Sequence, residues 1–407
     1  MSIRAGHATA RLDVTRGTSM AGYVARTGAV SGVLDPLELG AVVLAGSSGA
    51  VAALCVVDLL QVDGPLADRC RTSVADSLGT SSDLVWLTAT HTHGGPLPDD
   101  VADQVENAAV DAAREALRLA GPARVTLHRT ELDGVGAQRT GDSRRSAVPV
   151  EVLQFSGDSG VVGVVGVLPV HPTVLGADNT RVSADLPGGV RRAAARESSA
   201  WCLVATGAAG DVSTRSHRRE QTLAEVDRLG ALAAGRLLDP GPAIATATDV
   251  VGGRVTTIDL APARPDAAFR AGAVQTARQA LAAAEAVGDP VRVREATVVL
   301  QGAELGHGGT APVPCAVAGL DLGGVRLVGL GGEPFLDLAT TTAALDPGTV
   351  LVGYANGYAG YLPTSAAFAA AEADPDHPSY EVLIARVAPG EPGRALAAAT
   401  ALLGSSA

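Results

Sequence analysis

The chain has 407 residues, 43 of them acidic and 31 basic, for a net charge of −12; 47% are hydrophobic and 18% charged. That length and balance allow a large buried core and exclude a disordered chain. The negative surface repels phosphate backbones and anionic lipid, so neither nucleic acid nor a membrane is expected as a partner.

All of the basic charge is arginine, and aromatic residues make up only 3%, so the core is built from Ala, Val and Leu. The four cysteines, Cys55, Cys70, Cys202 and Cys315, are scattered without a CxxC pair and read as small buried hydrophobes in a reducing compartment. The opening MSIRAGHATARLDV has no apolar core of a secretory signal. The longest apolar runs, such as Val161 to Val170, are broken by glycine and too short to span a bilayer. A cytoplasmic location is therefore expected.

The predicted elements begin with a strand over Ala8 to Val14 and a loop at Gly22-Tyr23. Strands follow at Leu39 to Ala45 and Val51 to Leu60, then a helix at Leu66 to Ser77. Leu84 to Thr90 alternates and is β-branched, so it reads as a strand running into the loop His91-Thr92-His93-Gly94-Gly95-Pro96. An Ala-rich helix covers about Asp100 to Ala120. Strands are predicted at Arg124 to Leu132, Val148 to Phe155, Gly160 to Pro169 and Ala200 to Thr206, with helices at Leu186 to Glu197 and Thr222 to Leu238. Val250 to Leu260 reads as a strand, and Asp266 to Ala286 as the most amphipathic helix of the chain. Strands return at Leu320 to Gly329 and Val350 to Gly353, and Gly393 to Leu403 looks helical.

Strands and helices interleave without a break, and many strands are adjacent with no helix between them. The expected fold is α/β: a layered sandwich of mixed β-sheets flanked by helices, one compact catalytic unit over residues 1–407.

His91 and His93 sit two residues apart just past a strand, so in extended chain both rings point the same way. That suits a metal ligand with a neighbouring proton donor, and equally a pair of loop histidines capping carbonyls. His171, in VHPTVLG at another strand end, reads alone as structural. The segment Thr206 to Thr214, TGAAGDVST, is a Gly-rich loop after a strand but lacks both the P-loop ending and a GxSxG elbow. Its Ser213 could meet substrate, or with Asp211 cap the next turn. Glu333, in LGGEPF after a strand, could equally be a helix-start carboxylate. Tyr354, Tyr358 and Tyr361, three of the five tyrosines, crowd into GYANGYAGYLPT.

A resemblance joins these signals. ATHTHGGP, VHPTVLGADNTRVSADLPG, TGAAGDVST, GGEPF and NGYAGYLPT resemble, in the same order, motifs of the neutral/alkaline (non-lysosomal) ceramidase family. RLDVT, AGY and VLDPL at the start, and Ser379-Tyr380-Glu381-Val382 near the end, are similar too. The resemblance implies a catalytic Zn2+ held by His91, His171, Glu333 and Tyr361. It implies that His93 stands beside the metal, that Arg139 in GAQRTGD binds a substrate oxygen, and that Ser213 is the serine of the Gly-Asp-x-Ser motif. Tyr358 is a further candidate for bonding substrate. The family commonly has proline where this chain has Thr214, and its ceramidases carry a C-terminal immunoglobulin-like domain that is not expected within these residues.

Two neutral imidazoles, a carboxylate and a phenol oxygen are acceptable zinc ligands, and zinc acidifies water and polarises an amide carbonyl. Asp185 and Asp211 are expected to orient ligand imidazoles. The expected function is zinc-dependent hydrolysis of the N-acyl bond of a small-molecule amide. A zinc Lewis-acid enzyme for ester hydrolysis or cyclisation, and a metal-binding scaffold without catalysis, are the alternatives. No oligomeric state follows from the pattern.

Overall fold

The computed structural model describes residues 3–139, 145–264, 267–305, 309–374 and 379–404. Two sheets lie face to face. Among the described residues the larger has nine strands, ordered Trp201–Thr206, Gly160–Leu168, Ala147–Gly157, Gly121–Asp133, Ile3–Leu12, Leu37–Ala45, Val51–Val57 and Val85–Ala89, with Ala243–Thr246 paired to Gly121–Asp133. The smaller runs Gly252–Leu260, Val313–Asp321, Arg326–Leu330 and Thr349–Val352. Most pairs are antiparallel. Three are parallel: Val51–Val57 with Val85–Ala89, Gly160–Leu168 with Trp201–Thr206, and Arg326–Leu330 with Thr349–Val352. The sheets are mixed, as expected from strands that follow one another without helices.

The core between the sheets is made by alternate residues of both, among them Val42, Leu54, Trp86, Leu127 and Leu203 against Leu320, Leu327 and Val350. The outer face of the larger sheet is covered by two helix pairs. Gly64–Leu78 and Ala102–Leu119 pack on one half, and Asp185–Glu197 and Leu223–Leu238 on the other. Helix Glu391–Ala401 covers the outer face of the smaller sheet through Ala395, Leu396 and Ala399. The result is four layers, helix–sheet–sheet–helix, the predicted α/β sandwich.

The structure corrects the predicted elements in several places. The first strand is Ile3–Leu12, starting earlier than Ala8 because Ile3, Arg4 and Ala5 pair with residues 121–123. Leu320 to Gly329 is not one strand but a hairpin: Val313–Asp321 turns into Arg326–Leu330. Gly323 and Gly324 make the turn at φ 68° and 125°, a backbone that residues with a Cβ rarely adopt. The clearest one-faced helix is Ala102–Leu119, whose Val105, Ala108, Ala109, Ala112, Ala113 and Ala116 are all buried at helical spacing. The helix expected to be most amphipathic, observed as Ala267–Val287, is mostly exposed and packs chiefly on helix Pro290–Leu305; Asp266 lies outside the described residues. Pro290–Leu305 was not anticipated, because Thr297-Val298-Val299 is a β-branched run that packing overrides.

All four cysteines are free, with Cys55, Cys70 and Cys315 buried and Cys202 half-buried. Burial pushes each thiol up to about 12, so none is a nucleophile near neutrality. Among the described residues no helix is long and apolar enough to cross a membrane.

One strand residue sets an acid limit. The His7 ring stacks on Trp201, centroids 4.8 Å apart and planes 13° from parallel. Burial, with Arg191 adding to it, lowers the imidazole from 6.5 to about 4. A base depressed by folding gains its proton more readily when unfolded. The stability it contributes is complete above the unfolded value and is lost as pH falls from 6.5 toward 4, at about 1.4 kcal/mol per unit. His7→Gln is expected to flatten the acid limb of the stability–pH curve over that window. Urea melts giving equal slopes for parent and variant would remove His7 from the acid response.

Candidate metal centre

The three parallel pairs bring the C-terminal ends of their strands to one rim, where loops carry side chains out of the sheets. His91 leaves the strand Val85–Ala89 after Thr90, whose N–H donates to Val57 O at 2.9 Å and whose carbonyl accepts from Thr206 Oγ1 at 2.8 Å. His171 follows Gly160–Leu168; its N–H donates to Val212 O at 3.0 Å, and its backbone bridges to Ser213. Glu333 follows Arg326–Leu330 and pairs with Tyr361 in a short parallel ladder, donating to Gly360 O at 2.9 Å.

These loops bring the side chains together. His91 Nε2 and His171 Nε2 are 3.0 Å apart, and Glu333 Oε2 lies 3.3 Å from each. His93 Nε2 is 3.4 Å from His91 Nε2. His91, His171 and Glu333 are 2–3% exposed.

The tautomers follow from the backbone. His91 Nδ1 donates to Leu60 O and His171 Nδ1 to Ala209 O, both at 2.7 Å. A carbonyl only accepts, so each neutral ring carries its hydrogen on Nδ1 and turns the lone pair of Nε2 inward. Burial, with His91 and Arg139 adding to it, holds His171 well below the usual histidine range, so it does not protonate to relieve the contact. Two lone pairs and a carboxylate oxygen thus converge on one point, an arrangement a cation completes. Nitrogens about 2.0–2.1 Å from a tetrahedral zinc stand about 3.3 Å apart, and the observed separations of 3.0–3.4 Å bracket that value. His91, His93 and His171 could hold a metal ion; their ligand atoms all lie within 4.8 Å of one another.

The neighbourhood is strained as well as buried. The described non-glycine residues with positive φ are His91, Asp185, Tyr354 and Asn356, at 52–64°. Left-handed backbone costs a residue with a Cβ about 1 kcal/mol or more, so the surroundings must enforce it. Asn356 is enforced by the strand Val85–Ala89: its Oδ1 accepts from Leu87 N and its own N–H donates to Leu87 O. Asp185 accepts from the N–H groups of Val174, Leu175 and Leu186 and so braces the loop after His171. Burial outweighs those bonds and lifts its carboxyl to about 7.

Asp185 and Asp211 therefore do not orient imidazoles, contrary to expectation. Backbone carbonyls do, because the loops pass close enough to present them. Asp211 instead accepts from Leu336 N at 2.8 Å and Gln138 Nε2 at 2.9 Å, tying two loops of the rim together.

The other sequence candidates fall around the cluster. Tyr358 donates its hydroxyl to Glu333 Oε1, and Tyr354 donates to Glu333 Oε2 at 3.4 Å. The Tyr361 ring lies near-parallel to that of His171, 6.2 Å between centroids. Burial and then Glu333 hold all three phenols well above their ordinary range. Arg139 is anchored three ways: N–H to Asp211 O at 2.7 Å, Nη2 to Gly210 O at 2.9 Å, Nη1 to Glu381 Oε1 at 2.8 Å. Among the described residues its buried Nε has no hydrogen-bond partner. Ser213 is buried beside His171, and its Oγ accepts from Arg215 N at 3.3 Å, the turn-capping bond that spacing allows.

His93 is held by packing. Gly22, at φ 105°, lies so close that an added Cβ would be 2.7 Å from the His93 ring. Tyr23 meets the ring from the same loop, 4.8 Å between centroids. Burial, then His91, Arg26 and Arg139, keep His93 well below the usual histidine range. Sequence reasoning singled out the Gly22-Tyr23 loop without linking it to His93, and it missed Arg26 entirely, since no spacing relates residue 26 to residue 93.

No protein-family model matches the chain, and no curated protein matches it by sequence. Solved structures do. The crystal structure of neutral ceramidase from Pseudomonas aeruginosa superposes with a TM-score of 0.75 at 17% identity, over 100% of this chain and 76% of that one. A ceramidase complexed with C2 superposes with a TM-score of 0.74 at 16% identity, over 100% of this chain and 77% of that one. The chain has a ceramidase-like fold.

Proposed function

We propose that this protein hydrolyses the N-acyl bond of a small-molecule amide, with zinc held by His91, His171, Glu333 and Tyr361. One observation carries the reading: the Nε2 atoms of two imidazoles and a carboxylate oxygen converge within 3.0–3.3 Å. The ceramidase-like fold supports amide chemistry as the kind of reaction. When bound, such an ion lowers the pKa of water and polarises a carbonyl.

The chain's own residues then have distinct tasks. Tyr358 and Tyr354 fix the carboxylate of Glu333 from two sides, so that Oε2 faces the imidazoles. Neutral His93, its Nε2 3.4 Å from His91 Nε2, takes a proton as the amide is attacked, then returns it to the leaving amine. The Nε–H of Arg139, without a partner among the described residues, is a fixed donor for the amide oxygen as negative charge develops on it, and its three anchors spare it reorganisation. Ser213, next to His171, bonds substrate.

The direct test is a panel of N-acyl amides and matching esters with zinc-loaded and chelated protein. Turnover of amides that disappears with chelation and returns with zinc is the expected result. A protein that binds zinc yet cleaves no amide would sink the hydrolase reading.

The tyrosines give a finer test. Tyr361→Phe is expected to keep the fold, weaken zinc modestly and cut turnover strongly, since three protein ligands remain. Tyr358→Phe frees one oxygen of Glu333 and is expected to weaken metal affinity by about 10-fold, at the low end for loss of a ligand's supporting hydrogen bond. Zinc titration and kinetics on both variants decide between them; normal affinity and normal turnover in Tyr361→Phe would remove that residue from the site.

A further inference from the structure

Arg26 sits on the loop that packs on His93, and its guanidinium is only partly used. Nη1 donates to Ala21 O at 2.6 Å, and Cζ lies 5.0 Å from the centre of the Tyr23 ring. Nε and Nη2 are buried and, among the described residues, have no hydrogen-bond partner. These two N–H groups form the side-on edge of the guanidinium, the edge that grips a two-oxygen anion in parallel bonds. A desolvated charged donor without an acceptor is costly, and a ligand that brings the acceptor removes the cost. Arg26 as a residue is half-buried.

The surroundings point the same way. Tyr23 lies against both Arg26 and His93, placing the guanidinium one ring away from the metal cluster. Arg215 and Arg218 also act on Tyr23 through their charge; Arg215 is exposed, and Arg218 donates to Thr173 O at 2.5 Å. The acidic group acting on Tyr23 is Asp185, whose carboxyl already serves three backbone N–H groups. Three arginines thus act on Tyr23 in a chain whose net charge is −12.

Resting on the hydrolase reading, we infer that the substrate carries an anionic group with two or more acceptor oxygens, a carboxylate or sulfonate, bound by Arg26 beside His93. The scissile amide then lies over the cluster with the anion a few bonds away. The arginine rim draws such substrates in against the repulsion of the acidic surface.

The test uses the zinc-loaded full chain and four probes: N-hexanoylglycine, N-hexanoyl-4-aminobutyrate, N-hexanoyltaurine and the neutral N-hexanoylglycine methylamide. Binding is measured by calorimetry alongside turnover. At least one anionic probe is expected to bind ten-fold or more tightly than the neutral one, with a preference that shrinks as salt rises. Which probe binds best reports the spacing and the anion type. Arg26→Ala is expected to bring the anionic-to-neutral ratio toward one, and Arg26→Lys, which keeps charge but not the two-pronged edge, to fall between. Equal binding of all probes by the parent, or an unchanged ratio in a folded Arg26→Ala, overturns the inference. Anion-selective binding without cleavage would keep it and defeat the hydrolase reading; cleavage without anion preference would do the reverse.

Discussion

His171→Ala is expected to abolish metal binding and turnover together. His171 supplies one of two inward lone pairs, and nothing else on its loop can replace it: Val170 and Pro172 flank it, and Ser213 alongside is engaged with the backbone. Loss of groups that merely support ligands costs about 10–100-fold in affinity, so loss of a ligand itself costs more than about 100-fold. His91→Ala is expected to behave alike. His93→Ala separates the functions: the metal is retained within about 10-fold while turnover collapses, because the proton carrier is gone and the main donors remain. Metal titration beside single-turnover kinetics gives the answer. A His93→Ala protein that loses the metal while His91→Ala keeps it would exchange the roles of the two histidines.

The second large effect lies behind the site. Asp58 is fully buried and accepts from Arg191 Nη1 at 3.1 Å and Nη2 at 2.6 Å, from Thr90 Oγ1 at 3.1 Å and from Glu38 N at 3.0 Å. Thr90 precedes His91, and two residues past Asp58 stands Leu60, whose carbonyl fixes the His91 ring. Burial disfavours the charge on Arg191, but Asp58 and Glu38 more than offset it and hold the guanidinium charged. Asp58→Ala leaves that charge, among the described residues, with Glu38 Oε1 at 2.8 Å as its remaining ion pair. Breaking a buried pair costs about 3–5 kcal/mol, a large part of a typical total of about 5–15 kcal/mol. Metal affinity is expected to fall with it, by about 10–100-fold, because the strained backbone at His91 loses its brace. Asp58→Asn retains an acceptor for Thr90 and is expected to recover part of the metal affinity while remaining less stable. Urea denaturation and zinc titration check both; an Asp58→Ala protein of parental stability would show that the pair contributes nothing net.

What the sequence determined by itself was local. Apolar and β-branched runs marked the strands around 39–45, 51–60, 84–90 and 148–155, and an Ala-rich stretch marked a helix at about 100–120, because such patterns reflect what each element buries. Read alone, His91, His171 and Glu333 stayed open between site and structural roles; only the resemblance carried by ATHTHGGP, VHPTVLG and GGEPF implied them as ligands. Short range also limited that reading. No element was expected at Pro290–Leu305, where the β-branched Thr297-Val298-Val299 favours a helix poorly, and the turn at Gly323-Gly324 was hidden in an apolar stretch.

Only the tertiary structure decided what surrounds the site. Residues 91, 171 and 333 meet because three parallel pairs, each closed through a long connection, bring their strand ends to one rim. The imidazoles are oriented by the carbonyls of Leu60 and Ala209, which no residue type encodes, since every residue has a carbonyl. Tyr358 bonds Glu333, Tyr23 with Arg26 behind it packs on His93, and Asp58 braces Thr90 for the same reason. A hydrogen bond is a contact of a few ångströms in space. The sequence records which side chains can make one, and the fold alone sets which of them come within reach.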